Sequence, residues 1–206
     1  MTTYTKAIAC LFASAVLFSS CKNKSSQDDT GWTVYGGSKK SQRYSSLTQI
    51  DTGNVKQLQV AWVYHTNDAD VKAHSQIQCN PIMVNGLLYG TTPKLRLFAL
   101  DAATGKQKWI FNPVGNTNST PSNFGMNNNR GVTYWENGDD KRILYCAGSN
   151  IYEVNAETGE LISNFGNGGK VDLHNDLGRD AKEMYVTATS PGIIYKDNYI
   201  IGSRVN

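Results

Sequence analysis

The 206-residue chain has only four cysteines and three histidines, and none of them forms a Cys-x-x-Cys-His pattern, so it carries no covalent haem motif. His65, His74 and His174 lack the spacing of metal ligands and read as structural or solvated side chains. No long run of one charge occurs. The 20 Lys and Arg are scattered among 17 Asp and Glu, for a formal net charge of +3, which argues against an extended nucleic-acid face. The apolar stretch Ala7–Phe18 is too short to cross a bilayer comfortably, and beyond it no segment sustains a helical period. What the chain does have is turn and strand material. With 19 Gly, 11 Tyr, 39% hydrophobic and 18% charged residues, it suits one globular, strand-rich domain.

The amino terminus reads as a separate object. Lys6 followed by Ala7–Phe18 and then small residues has the form of a signal peptide over residues 1–20. Leu17-Phe18-Ser19-Ser20-Cys21 resembles a bacterial lipobox, although Phe18 stands where an aliphatic residue is usual. The expectation is an exported lipoprotein, periplasmic or anchored to the outer membrane of a Gram-negative cell through a lipid on Cys21. Residues 21–30 would be a polar tether and residues 31–206 the folded part. Ordinary signal cleavage with a chance cysteine is the competing reading. Export leaves Cys79 and Cys146, for which a disulfide and two buried thiols are both open.

From Gly31 onward, short strands alternate with turn signals. Gln59–His65 alternates as a half-buried strand does. Pro81–Val84 and Leu87–Gly90 flank Asn85-Gly86, a strong hairpin signal because both central residues of a type I′ turn need positive φ. Leu95–Leu100 and Gln107–Phe111 flank Asp101–Lys106. Arg142–Cys146, Ile151–Val154, Gly192–Tyr195 and Tyr199–Ile201 continue the pattern. Ala99–Trp109 (ALDAATGKQKW) matches Glu153–Ser163 (EVNAETGELIS), with Asx, Ala, Thr and Gly at the same offsets. Such self-similarity predicts blades of a β-propeller, each unable to bury both faces alone. Asp or Asn opens the turn, Gly supplies positive φ, and Trp109 packs between blades. Ser163 stands where the second copy would carry Trp, so that blade is expected to lack its aromatic wedge.

ALDAATGKQKW also resembles the tryptophan-docking motif of the PQQ-dependent (quinoprotein) dehydrogenases, closest in flavour to the membrane-associated glucose dehydrogenase branch. Other segments fall in that family's order: Trp32–Gly37, Gln42–Ile50, Leu58–Trp62, Asn129–Trp135 (NRGVTYW), Phe165–Leu173 and Thr189-Ser190-Pro191. The resemblance covers Gly31 to Asn206. It implies an all-β fold that is part, about three blades, of an eight-bladed propeller holding pyrroloquinoline quinone (PQQ) on its axis. It implies oxidation of an aldose or alcohol by hydride transfer to the quinone, with Ca²⁺ as Lewis acid and an Asp as base. Electrons would pass to a cytochrome or a membrane quinone.

By position in the family pattern, Gln78 matches a Glu or Gln that touches the cofactor. Arg130 matches the Arg that pairs with a PQQ carboxylate, for which a planar guanidinium fork is well suited. Thr189 matches a Thr that hydrogen-bonds the cofactor, and Ser203, Arg204 and Val205 match the segment lining it next. Taken singly, each has a plain structural reading as a solvated Gln, a surface Arg or a turn Thr. Two departures stand out. Lys94 occupies a place where many glucose-dehydrogenase relatives carry His, and the adjacent cysteine pair of some alcohol dehydrogenases is replaced by Gly125-Met126-Asn127-Asn128. The Ca²⁺-ligating Glu, the catalytic Asp and the Lys of the family would follow Asn206, so this stretch alone is expected not to turn over substrate. A non-catalytic propeller scaffold of the outer-membrane assembly type, or a degenerate binding module, is the alternative.

Overall fold

The computed structural model describes residues 31–72, 74–115 and 128–206. The expected signal peptide, the tether and Cys21 lie outside the described residues.

Two four-stranded antiparallel sheets form the body, each a simple meander in chain order. The first contains β1 (Ile82–Val84), β2 (Leu87–Thr91), β3 (Leu97–Asp101) and β4 (Gln107–Phe111). The second contains β5 (Thr133–Asn137), β6 (Asp140–Ala147), β7 (Asn150–Asn155) and β8 (Lys170–Asp172). After β9 (Val186–Thr187) comes a hairpin of β10 (Ile193–Tyr195) and β11 (Asn198–Ile200), and β12 (Arg204–Val205) returns to pair with β9. Among the described residues there are thus two four-stranded blades and the opening hairpin of a third. The β1–β2 turn is as expected, with Asn85 at φ 51° and Gly86 at φ 77°.

The core is the seam between the two sheets. Ile82, Leu97, Ala99, Ile143, Tyr145 and Val154 are fully buried there. Aromatic rings fill the gap. Tyr89 lies 6.0 Å from Trp109, and Phe111 lies 5.8 Å from Tyr152, within the range of favourable ring contacts. The buried hydroxyls find partners across the seam, Tyr89 on the Ala156 carbonyl and Tyr145 on the Leu95 carbonyl, each at 3.2 Å.

The repeat explains how sheets are joined. Trp109 Nε1–H donates to the Ala156 carbonyl at 3.0 Å, and its ring covers Gly159, where a Cβ would come within 2.7 Å of Cδ2. Trp62 does the same to the preceding turn, donating to the Ala102 carbonyl at 3.2 Å and covering Gly105. Both glycines have positive φ, 70° and 78°. Trp62 therefore stands to the first sheet as Trp109 of β4 stands to the second.

Two sequence expectations need adjustment. Gln59–His65 has the alternation of a strand, with Trp62 and Tyr64 turned inward, but it joins no ladder among the described residues. Alternation reports burial on one face, whereas a strand also needs a hydrogen-bonding neighbour. In the second sheet, where Ser163 replaces Trp, the outer strand is delayed. Leu161 makes only an isolated bridge to Val154, and β8 starts at Lys170 after a loop in which Gly169 closes against Leu161.

Candidate functional site

The sheet registers separate two ends of the molecule. Leu97 pairs with Thr91 and Asp101 with Leu87, so the β2–β3 hairpin lies at the end where β1 begins. The docking turn after β3 lies at the other end, where the Ala102 N–H donates to the Gly86 carbonyl. The second sheet repeats this, with the β6–β7 hairpin and the start of β5 at one end and the Asn155–Gly159 turn at the other. One end thus carries the packing machinery, and the other carries the segments leading into β1, β5 and β10.

Those three segments hold Gln78, Arg130 and Thr189, and the backbone ties them side by side. The Asn80 N–H donates to the Arg130 carbonyl at 2.9 Å, and the Arg130 N–H donates to the Thr189 carbonyl at 2.7 Å. Gly131 makes the close approach possible, because a Cβ there would meet Tyr35 at 2.9 Å and Pro191 at 3.3 Å. Asn129, 2% exposed, fixes the segment from behind. Its Nδ2 donates to the Cys146 carbonyl at 3.0 Å and its Oδ1 accepts the Gly131 N–H at 2.8 Å. The Gln78 side chain is reached from the next segment, Asn128 Nδ2 donating to its Oε1 at 3.3 Å.

The electrostatics favour an anion. Arg130 is exposed, and its guanidinium has no hydrogen bond or ion pair among the described residues. A cation with free donors on a hydrogen-bonded backbone, beside amide side chains and a threonine, suits carboxylate recognition. Asn128 Oδ1 is a buried acceptor with no partner among the described residues. Lys94 lies in the β2–β3 hairpin at the same end.

Ser203, Arg204 and Val205 are placed less directly. Arg204 and Val205 pair with Thr187 and Val186, so this segment adjoins Thr189 through β9 and, among the described residues, makes no hydrogen bond to Gln78 or Arg130. The Arg204 guanidinium is engaged locally, its Nε donating to Asn206 Oδ1 at 3.2 Å and its Cζ lying 6.0 Å from the Tyr185 ring centroid. A cavity of about 400 Å³ lined by Tyr35, Ser38, Thr133, Trp135, Pro191 and Ile194 has none of the expected cofactor residues in its walls.

Both described cysteines are free thiols. Burial pushes the Cys146 thiol up to about 12 and raises that of Cys79, the latter partly offset by hydrogen bonding to Thr91. Among the described residues no three His, Cys, Asp or Glu gather into a metal-holding group. Sequence reasoning passed over Asn129, whose only local signal is its place before Arg-Gly, and Trp62, which it read as an ordinary strand residue.

A serial meander of four-stranded sheets joined by tryptophan-over-glycine docking, with polar groups gathered where successive sheets begin, defines part of a β-propeller. The family model described as PQQ, glucose/ethanol/alcohol dehydrogenase, beta-propeller domain, matches residues 32–206, and the chain belongs to that family. It is similar to a quinoprotein glucose dehydrogenase of Escherichia coli K12, 33% identical over 192 residues covering 86% of this chain and 24% of that protein. It is also similar to the dehydrogenase subunit of a quinone-dependent alcohol dehydrogenase of Gluconobacter oxydans 621H, 37% identical over 131 residues covering 64% of this chain and 16% of that one. Among solved structures, a quinohemoprotein alcohol dehydrogenase of Pseudomonas putida HK5 superposes with a TM-score of 0.65 at 25% identity, covering 86% of this chain and 23% of that one. The chain spans about a quarter of the length of the glucose dehydrogenase relatives it matches.

Proposed function

We propose that this chain forms part of a PQQ-dependent dehydrogenase that oxidises an aldose or alcohol, and that the cofactor lies against Gln78, Arg130 and Thr189. The observation that carries the reading is the pair of backbone hydrogen bonds running from Asn80 through Arg130 to Thr189, which gathers three sequence-distant residues at one end. When bound, the quinone supplies the two-electron acceptor for the substrate's hydride. The chain's own residues bind and orient it. Arg130 holds a carboxylate of the cofactor, Gln78 offers an amide to its polar edge, and Thr189 gives a hydroxyl. Ser203, Arg204 and Val205 extend that lining by way of β9. Ca²⁺, an aldose or alcohol substrate and a cytochrome or quinone acceptor belong to the same reading, as do export by residues 1–20 and anchoring through Cys21.

The test is PQQ binding to the full-length protein, followed by the quenching of intrinsic fluorescence. Arg130→Lys keeps the charge but loses the fork, and should weaken binding about tenfold, the equivalent of about 1.4 kcal/mol. Arg130→Ala should weaken it further. Unchanged affinity in both variants would rule out the assigned role of Arg130.

A further inference from the structure

Asn128 belongs to neither the docking machinery nor the residues matched to cofactor contacts, yet it is the side chain that reaches Gln78. It sits two residues before Arg130, on the segment leading into the second sheet, and donates from Nδ2 to Gln78 Oε1 on the segment leading into the first. Its own Oδ1 is buried and accepts nothing among the described residues. Buried amide oxygens are nearly always satisfied, so an Asn that leaves one bare is poorly explained by stability alone. Exchanging its O and N does not help. The buried position would then hold a bare N–H₂ donor, and two carbonyl oxygens would face each other unless Gln78 turned over as well.

A glutamine side chain offers a ligand either its acceptor or its two donors, depending on how its amide is turned. By occupying Oε1, Asn128 leaves the Gln78 Nε2 donors for other partners. Donors are what an anionic, oxygen-rich cofactor edge needs, and they act in the same sense as the unpaired Arg130 guanidinium. Resting on the reading of this end as the PQQ site, we infer that Asn128 is a positioning residue. It fixes the direction of the Gln78 amide so that Gln78 donates to the cofactor.

The experiment measures PQQ affinity and thermal stability together in the full-length protein. Asn128→Leu removes the contact and replaces a bare buried amide with a side chain that needs no partner. PQQ binding should weaken about tenfold while Tm stays the same or rises. Asn128→Asp can only accept, so it turns the Gln78 amide over and adds a negative charge, and it should weaken binding more than Leu does. In a double-mutant cycle, Asn128→Leu added to Gln78→Met should cost nothing beyond Gln78→Met alone, since one residue acts through the other. Wild-type affinity in Asn128→Leu, or losses that add independently in the double variant, would overturn the inference while leaving the PQQ reading standing. A wild-type protein that binds no PQQ would overturn both.

Discussion

Asn129 shows how a buried polar side chain can hold a segment in place through backbone contacts alone. Both ends of its amide are used on backbone, one on the Cys146 carbonyl of β6 and the other on the Gly131 N–H, so the Arg130 backbone is held between two fixed points. Removing a satisfied buried amide leaves two unpaired backbone groups and costs about 2–3 kcal/mol. Asn129→Ala should lower the unfolding free energy by that amount in denaturant titration. It should also weaken PQQ binding, because Arg130 loses its anchor. A variant that loses stability but keeps full affinity would show that Arg130 is positioned by its bonds to Asn80 and Thr189 alone. The sequence placed Arg130 through its neighbours in the NRGVTYW string. The supporting role of Asn129 was not legible there, because a buried Asn and a solvated one look the same until their partners are known.

At the scale of elements, the joint between the two sheets and the joint of the Gln59–His65 segment to the first sheet are two copies of one device. An indole lies over a positive-φ glycine and donates to the carbonyl of the alanine in the same turn. Gly159→Ala brings two penalties at once, a φ of 78° that L residues rarely adopt and a Cβ 2.7 Å from Trp109. It should destabilise the protein by about 2 kcal/mol or more, with Trp109 fluorescence shifting as the ring is displaced. No loss of stability, or an unshifted emission spectrum, would contradict this account of the joint. Much of this device was readable from sequence, because the Asx-Ala-x-Thr-Gly turn is local chemistry and its repetition marks the blades. Trp62 was not recognised as the first member of the series, since the turn it caps lies some forty residues further on. The delayed start of β8 was also hidden. Ser163 signalled that the wedge is missing, but what fills its place depends on Leu161 and Gly169 meeting in three dimensions.

For the whole molecule, the strand registers place the docking turns and the residues proposed to meet the cofactor at opposite ends. Docking turns gather at one end, and the segments carrying Gln78, Arg130 and Thr189 gather at the other. This division would let the end proposed for ligand recognition change chemically without disturbing the joints, and departures such as Lys94 and Asn128 fall on or beside that end. Composition and turn spacing were enough to indicate an all-β, bladed architecture. Family resemblance was needed to pick out the three residues proposed to meet the cofactor, since each taken alone has an ordinary structural reading. The measurement that tests this account most directly is an experimental structure of the full-length protein with PQQ bound. The account predicts a cofactor carboxylate within hydrogen-bonding distance of the Arg130 guanidinium, with Gln78 and Thr189 on the same ligand. PQQ bound at the docking-turn end, or bound elsewhere with Arg130 left in solvent, would contradict it.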